Sequence, residues 1–273
     1  MIADLHTHTT ASDGHLDPHE LLAGAHAAGV QLLAITDHDT LAGYAELDRD
    51  LAPDCRIVPG IELSTTWRKI AIHVVGLNID LKNPALLAGV ASQSSARHER
   101  AQLIAMRLEK LGFRDVLSGA AQLAGSAGIS RPHFARHLVE SGQVRSMQDA
   151  FRKYLGPGKA GDIRETWAPL DDVISWIKDA GGVAVLAHPA KYKLTNLKLE
   201  ELTQDFRRAG GDALEVISGL QDINLTNRLG RLALRHGLQA SCGSDFHQPG
   251  QSWARLGAVA ALPRDCVPVW EAW

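Results

Sequence analysis

Residues 1–39 read MIADLHTHTTASDGHLDPHELLAGAHAAGVQLLAITDHD, and this stretch decides the fold class. The apolar run Met1–His6 predicts a strand. The next segment carries a full set of helix-end signals: Asp17 as cap, Pro18 in the first turn, Glu20 three residues on, and Gly29 at the far end. A second apolar run, Leu32–Thr36, predicts another strand. Strand, helix and strand in so short a span form a βαβ unit, which favours a parallel sheet. Both strands end in metal-binding residue types, His6-Thr7-His8 and Asp37-His38-Asp39. Side chains alternate along a strand, so His6 and His8 point the same way and can approach one cation.

Further strands are predicted at Arg56–Leu63, Ala71–Leu77, Val183–Ala187, Ala213–Ile217, Gln239–Gly243 and Gly257–Leu262. Most are continuously apolar, as buried parallel strands are. Residues 83–165 break this alternation with helical patterns and turns. Between Arg97 and Glu165 stand 12 basic and 7 acidic residues, a net +5, against 16 and 24, a net −8, in the remainder. A cationic helical insertion (83–165) thus interrupts an acidic α/β body formed by residues 1–82 and 166–273.

Composition removes several other classes. With 45% apolar and 22% charged residues in 273, the chain is an ordinary globular protein of one large or two modest domains. A net charge of −3 argues against coating nucleic acid by bulk charge. The three cysteines, Cys55, Cys242 and Cys266, have no C-x-x-C spacing and do not form a disulfide framework; Cys242 reads as a small buried residue. The early polar residues leave no signal peptide and no apolar run reaches membrane-span length, so the expected address is the cytoplasm, without a membrane or obligate protein partner.

The thirteen histidines are the unusual count, and many recur at predicted strand ends. Asp13 follows His6 and His8; Glu62 ends the third strand; His73 opens the fourth region; His188 closes the fifth; Asp245 and His247 repeat the i, i+2 spacing after the seventh. Packing gives no reason to collect polar groups at one sheet edge, whereas α/β folds place their sites there. Imidazole with carboxylate suits manganese, iron or zinc. No Ser-His-Asp or Cys-His pairing stands out, so water is the expected nucleophile, with no covalent enzyme intermediate.

His6-x-His8, Ser12-Asp13-Gly14, Thr36-Asp37-His38-Asp39, Pro59-Gly60-Ile61-Glu62, Ala187-His188-Pro189 and Gly243-Ser244-Asp245-Phe246-His247 resemble the ordered motifs of the PHP (polymerase and histidinol phosphatase) family. The resemblance implies a distorted (β/α)7 TIM-like barrel and a site with two or three divalent ions, manganese first, with iron or zinc also suited. It implies that His6, His8, Glu62 and Asp245 hold one ion, Asp13, His38 and His247 a second, and Glu62, His73 and His188 a third. Asp13, His15 and Asp245 are the candidates for the chemical step. Asp37 is expected to orient a ligating histidine, and Asp39 to cap a helix.

In the insertion, Ser130-Arg131-Pro132-His133 reads as a helix start and a ready anion site. Ser130, Arg131 and His133, with His15 and Arg100, are the candidate substrate contacts. Arg97 shares a helix face with Arg100; a surface role is an equal reading for this pair. Arg136 and His137 read as solvated helix residues, and Lys159 lies on a loop placed to cover the site. Arg97-x-x-Arg100, Ile129–His133 and Leu155-Gly156 resemble the TrpH-like branch of the family. That branch implies removal of the 3′-phosphate from nucleoside 3′,5′-bisphosphates, such as adenosine 3′,5′-bisphosphate, by attack of metal-bound hydroxide. Its alternative is 5′→3′ exoribonuclease action on short RNA. A more remote reading is a C–N bond amidohydrolase, which also begins with H-x-H; Asp13 and the basic insertion favour a phosphoester.

Overall fold

The computed structural model of the chain describes residues 1–45, 47, 52, 54–163 and 166–273. Seven strands lie side by side in chain order: β1 (Ala3–Asp4), β2 (Leu32–Ile35), β3 (Arg56–Trp67), β4 (Ile70–Leu77), β5 (Val183–Leu186), β6 (Ala213–Ser218) and β7 (Gln239–Gly243). β7 returns to β1: Leu5 N–H donates to Cys242 O at 3.0 Å, and Asp245 N–H donates to His6 O at 2.8 Å. The sheet is therefore a nearly closed, TIM-like barrel. Gly243 is required at this seam, since a Cβ there would lie 2.3 Å from the His6 Cβ.

Helices cover the barrel. α1 (Pro18–Ala27) starts at Asp17, whose side chain accepts from Glu20 N–H while Glu20 accepts in return, the capping box expected from sequence. α6 (Leu170–Asp179), α7 (Asn196–Arg208) and α8 (Ile223–Arg235) follow the insertion and bury Val173, Ile174, Ile177, Leu202, Phe206 and Leu229 in the barrel cluster.

Among its described residues the insertion forms helices and no strand: α2 (Pro84–Glu109), α3 (Val116–Ala124), α4 (Arg131–Glu140) and the short α5 (Met147–Ala150), continued by a π-turn. It has its own apolar cluster, with Ala101, Ile104, Leu108, Phe134, Leu138 and Leu155 at its centre. The long α2 serves both bodies, because Leu86 near its start belongs to the barrel cluster.

Three expectations need correction. The sheet is not all parallel, because β4 runs antiparallel to both β3 and β5. The cause is a two-residue hairpin turn, Arg68-Lys69, with φ of +46° and +67°. Such a turn returns the chain directly and leaves no room for a crossover helix. Gly257–Leu262 is not a strand. Gly257 turns at φ +68° and its N–H donates to the buried Asp4 carboxylate at 3.0 Å. With β7 already bonded to β1, this segment has no edge to join. β1 is also shorter than expected: beyond Asp4 the Thr36 hydroxyl, rather than a ladder carbonyl, accepts from Thr7 N–H.

Candidate metal centre and active site

His6, His8, Asp13, His38, Glu62, His73, His188, Asp245 and His247 reach one cluster at the barrel mouth, which Asp37, Asp39 and His15 do not join. Glu62, fully buried on β3, is at its middle. Its Oε2 lies 3.3 Å from His6 Nε2 and 3.3 Å from His8 Nε2, and Asp245 Oδ1 lies 3.5 and 3.3 Å from the same atoms. Glu62 Oε1 lies 2.9 Å from both His73 Nδ1 and His188 Nε2. Asp13 Oδ1 lies 3.4 Å from His247 Nε2 and 3.8 Å from His38 Nε2. His73 reaches the cluster only because β4 is antiparallel. A residue at the start of that strand then lies beside the end of β3, with His73 opposite Ser64.

The donor set fits cations better than it fits itself. His6 Nε2, both nitrogens of His8, His38 Nδ1, His188 Nδ1, Asp13 Oδ1 and Glu62 Oε2 are buried without a hydrogen-bond partner. Glu62 Oε1 pairs with His73 Nδ1 and His188 Nε2, but these other atoms crowd together without meeting in hydrogen-bonding directions. Buried polar atoms are rarely left so, and divalent ions would satisfy them together. Within this cluster, four groups of at least three donors lie within 4.8 Å of one another: His8/Asp13/His38/His247, His6/His8/Asp245, His6/Glu62/His188 and His38/Glu62/His73. The last two divide the expected third set between them.

Electrostatics agree. Burial, with His247 and His38 nearby, pushes His8 down to about 3, and burial holds His73 near 4 despite Glu62, so both rings are neutral and free to donate to a cation. Burial opposes protonation of His247, but Asp13 and Asp245 outweigh it and raise the ring to about 9. Burial likewise opposes ionisation of Glu62, and His38, His6 and His73 overcome it, holding the carboxyl well below its usual range. The carboxylates call for positive charge at the centre.

The supporting residues differ from expectation. Asp37 touches no histidine; it accepts from Thr9 N–H, the Thr9 hydroxyl and the Ser12 hydroxyl, at 2.8, 2.6 and 2.6 Å. It thereby shapes the loop that presents Asp13. In that loop a Cβ on Gly14 would meet His8 O at 2.4 Å. Asp39 caps no helix. It sits at φ +54° and accepts from Ser64 N–H and hydroxyl at 2.7 and 2.8 Å, from Gln93 at 3.0 Å, and from Arg97. This network ties α2 to the strand ends. The residue that orients a histidine is Glu215, which the motif reading missed: its Oε1 accepts from His6 Nδ1 at 3.0 Å, and its other oxygen accepts from His188 N–H. The available signal was a lone glutamate inside the apolar run Ala213–Ile217. Lys191, also missed, donates to Asp245.

Two cavities meet the cluster at Asp13. The first, a narrow space of about 60 Å³, is lined by His38 and His73 and by Arg97, Arg100 and Arg131 of the insertion. Arg97 and Arg100 are buried, not surface residues. Their guanidinium groups stand 5.3 and 5.1 Å from the ring of Trp167, a residue without a sequence signal. Arg100 donates to Ile163 O at 2.9 Å and Arg131 to Leu155 O at 3.3 Å. Burial, then the neighbouring Arg131 and Arg97, push Arg100 down to about 9, so the wall favours an anion. Ser130 caps α4, and the ring of the buried His133 closes that cap from within; His133 does not line the cavity.

The second cavity, about 540 Å³, borders Asp245 and His247 and includes His15 and Lys191. Here Arg136 is not a solvated helix residue: its Nη2 donates to His15 Nε2 at 2.8 Å. His137 does face away, against Arg114 O. Lys159 lies on an exposed turn and lines neither cavity. Cys242 is buried and reduced, as are the other two cysteines. No helix among the described residues is long and apolar enough to cross a membrane.

Comparison with known proteins agrees with this geometry. Residues 4–162 match the PHP domain. The chain is 45% identical to the 5′-3′ exoribonuclease Rnm of Escherichia coli (strain K12), over all of this chain and 94% of that one. It is 44% identical to a 3′,5′-nucleoside bisphosphate phosphatase of Chromobacterium violaceum, over 98% of this chain and 95% of that one. A solved structure from Chromobacterium violaceum, described as an amidohydrolase with bound sulfate and no metal, superposes with a TM-score of 0.90 at 42% identity, covering 100% and 95% of the two chains. A second, from Bifidobacterium adolescentis and assigned as a metal-dependent phosphoesterase, gives 0.79 at 27% identity, covering 97% and 92%. The chain belongs to the PHP domain family and is an enzyme of the phosphoesterase class.

Proposed function

We propose that the protein removes the 3′-phosphate from nucleoside 3′,5′-bisphosphates, leaving a nucleoside 5′-monophosphate and phosphate. The observation that carries this reading is the shared wall: Asp13, His38 and His73 line one cavity with Arg97, Arg100 and Arg131. A substrate with two phosphates spans it, one phosphate on the histidine–carboxylate cluster and the other on the arginines. His6, His8, Glu62 and Asp245 would hold one ion, Asp13, His38 and His247 a second, and Glu62, His73 and His188 a third; manganese, iron and zinc suit these donors. Such ions, when bound, neutralise phosphoryl oxygens and acidify the attacking water. Arg100 and Arg131 hold the distal phosphate, which fixes the ester bond over the cluster. His15, tethered by Arg136, contacts the scissile phosphate. We also read residues 1–82 and 166–273 as the barrel that carries the chemistry and 83–165 as the substrate-binding lid, supported by the separate apolar cluster of the insertion.

A second reading, 5′→3′ exoribonuclease action on short RNA, is favoured by the relatives of that name. It breaks the same bond, phosphorus to O3′, with a nucleotide in place of a phosphate oxygen. A neutral amide, by contrast, leaves the three arginines without a counter-charge. The test is phosphate release from adenosine 3′,5′-bisphosphate by the manganese-loaded protein, beside a nucleoside 5′-monophosphate and a simple amide. Hydrolysis of the bisphosphate alone is expected. Amine release from the amide, or equal rates on the monophosphate, would overturn the reading.

A further inference from the structure

We propose that Tyr192 is a positioning residue for the metal centre: its hydroxyl, inserted between β4 and β5, sets the spacing of His73 and His188 and so the affinity of the ion site to which both contribute. The inference rests on the three-ion reading of the cluster given above.

β4 and β5 pair antiparallel from Leu77 opposite Val183 to Val74 opposite Leu186. One step farther the ladder places His73 opposite Ala187, and Ala187 N–H donates to His73 O at 3.2 Å. In an ordinary rung of this kind the return bond runs from His73 N–H to Ala187 O. Here the Tyr192 hydroxyl stands between them. It accepts from His73 N–H at 2.9 Å and donates to Ala187 O at 2.9 Å, nearer than His73 O at 3.5 Å. The rung is thereby opened by the width of one oxygen.

That rung borders two cluster residues, His73 itself and His188, which follows Ala187. Their rings stand 5.3 Å apart and edge to face, and Glu62 Oε1 lies 2.9 Å from a nitrogen of each. A strained turn brings Tyr192 back to the rung. His188 sits at φ +27° and ψ +56°, in the left-handed region, and the one-turn helix Pro189–Tyr192 follows directly. Such conformations persist where the surroundings over-determine them, and they gather at functional sites. Glu215 holds the His188 N–H, and the Tyr192 ring packs edge-on against the His188 ring at 5.4 Å. Tyr192 therefore touches both histidines, the main chain of one and the ring of the other.

Without the hydroxyl, His73 N–H and Ala187 O must close on each other or remain without that partner, and either change falls first on the group Glu62, His73 and His188. Tyr44 provides the comparison. Its hydroxyl also lies between strands, accepting from Ile35 N–H at 3.1 Å and Gly60 N–H at 2.8 Å, but neither of those residues belongs to the cluster.

The test titrates manganese into the ion-free protein against a competing chelator. Wild type should take up three ions per chain. Tyr192→Phe should keep two at wild-type affinity and hold the third about 10- to 100-fold more weakly, with lost turnover recovered at high manganese. Tyr44→Phe should spread any loss over all three. An unchanged third ion in Tyr192→Phe, a loss shared equally by all three, or an equally selective loss in Tyr44→Phe overturns the positioning role. Hydrogen exchange of wild type, read by mass spectrometry, needs no variant: protection of the His73 amide should rise as the third ion binds, and flat protection overturns the coupling. A wild type that never holds more than two ions overturns the three-ion reading and this inference with it, whereas the bisphosphate reading stands or falls on phosphate release.

Discussion

The barrel mouth and the arginine wall line one narrow cavity, yet they are built by different means. The cluster is made of strand-end residues whose positions follow from the main chain: His6 and His8 alternate along one strand end, Glu62 lies opposite Val75 in the β3–β4 ladder, and Gly243 lets β7 close against His6. The arginines sit on helices of an insertion with its own apolar core, and side-chain contacts hold them: Asp39 and Trp167 for Arg97, and Ile163 O for Arg100. In the reading proposed above, the acidic body fixes the chemistry, while the cationic insertion fixes which anion reaches it. Such a division lets specificity change by altering side chains on helices without disturbing the ligands.

If that division holds, damage to the cluster should be indifferent to substrate. Asp13→Ala should lower turnover of adenosine 3′,5′-bisphosphate and of a simple aryl phosphate alike, on the order of 10³-fold. Metal analysis of the purified variant should show fewer bound ions per chain. Activity near that of wild type on either ester would remove Asp13 from the chemistry. Glu215→Gln tests the layer behind the ligands. Glutamine can still accept from His6 Nδ1–H but lacks the charge that makes the ring a stronger donor. Metal affinity, measured by competition with a chelator, should fall about 10- to 100-fold, with the loss in activity recovered at high metal. An unchanged affinity would reduce Glu215 to a packing residue.

These two regions were also unequally legible in the sequence. The cluster can be read because its residues recur at strand ends with an i, i+2 spacing, as in His6-x-His8 and Asp245-x-His247. The first helix can be read because its cap signals are local. β4 misled because an apolar run has no direction; its antiparallel course depends on the Arg68-Lys69 turn, which lacks the usual glycine or asparagine. The roles of Asp37 and Asp39 are not legible, because the partners of a buried carboxylate are set by tertiary contacts, here Ser12, Ser64, Gln93 and Arg97. Trp167 and the Arg136–His15 pair join residues far apart in the chain, and no local pattern announces them.

Damage to the wall should, unlike damage to the cluster, discriminate between substrates. Arg131→Ala should lower kcat/KM on the bisphosphate roughly 10- to 100-fold, as expected for losing a charge-assisted contact. An aryl phosphate has no second phosphate to lose, and its kcat/KM should move less than about twofold. Equal losses on both would mean that Arg131 supports the cluster rather than the distal phosphate.

Asp39→Asn probes the seam between the regions and should have the smallest effect on turnover. Asparagine can still accept from Ser64, so the strand ends keep their shape, but the buried Arg97 loses its counter-ion. Breaking a buried pair in this way costs roughly 3–5 kcal/mol at most, and less where other hydrogen bonds survive. The variant should therefore melt below wild type. A bound phosphate would then supply the missing negative charge to Arg97, so a saturating bisphosphate should raise the Tm of Asp39→Asn by more than it raises that of wild type. A smaller rise would mean that Arg97 reaches the substrate only while Asp39 holds it over Trp167, and that the wall depends on the barrel for its shape as well as its location.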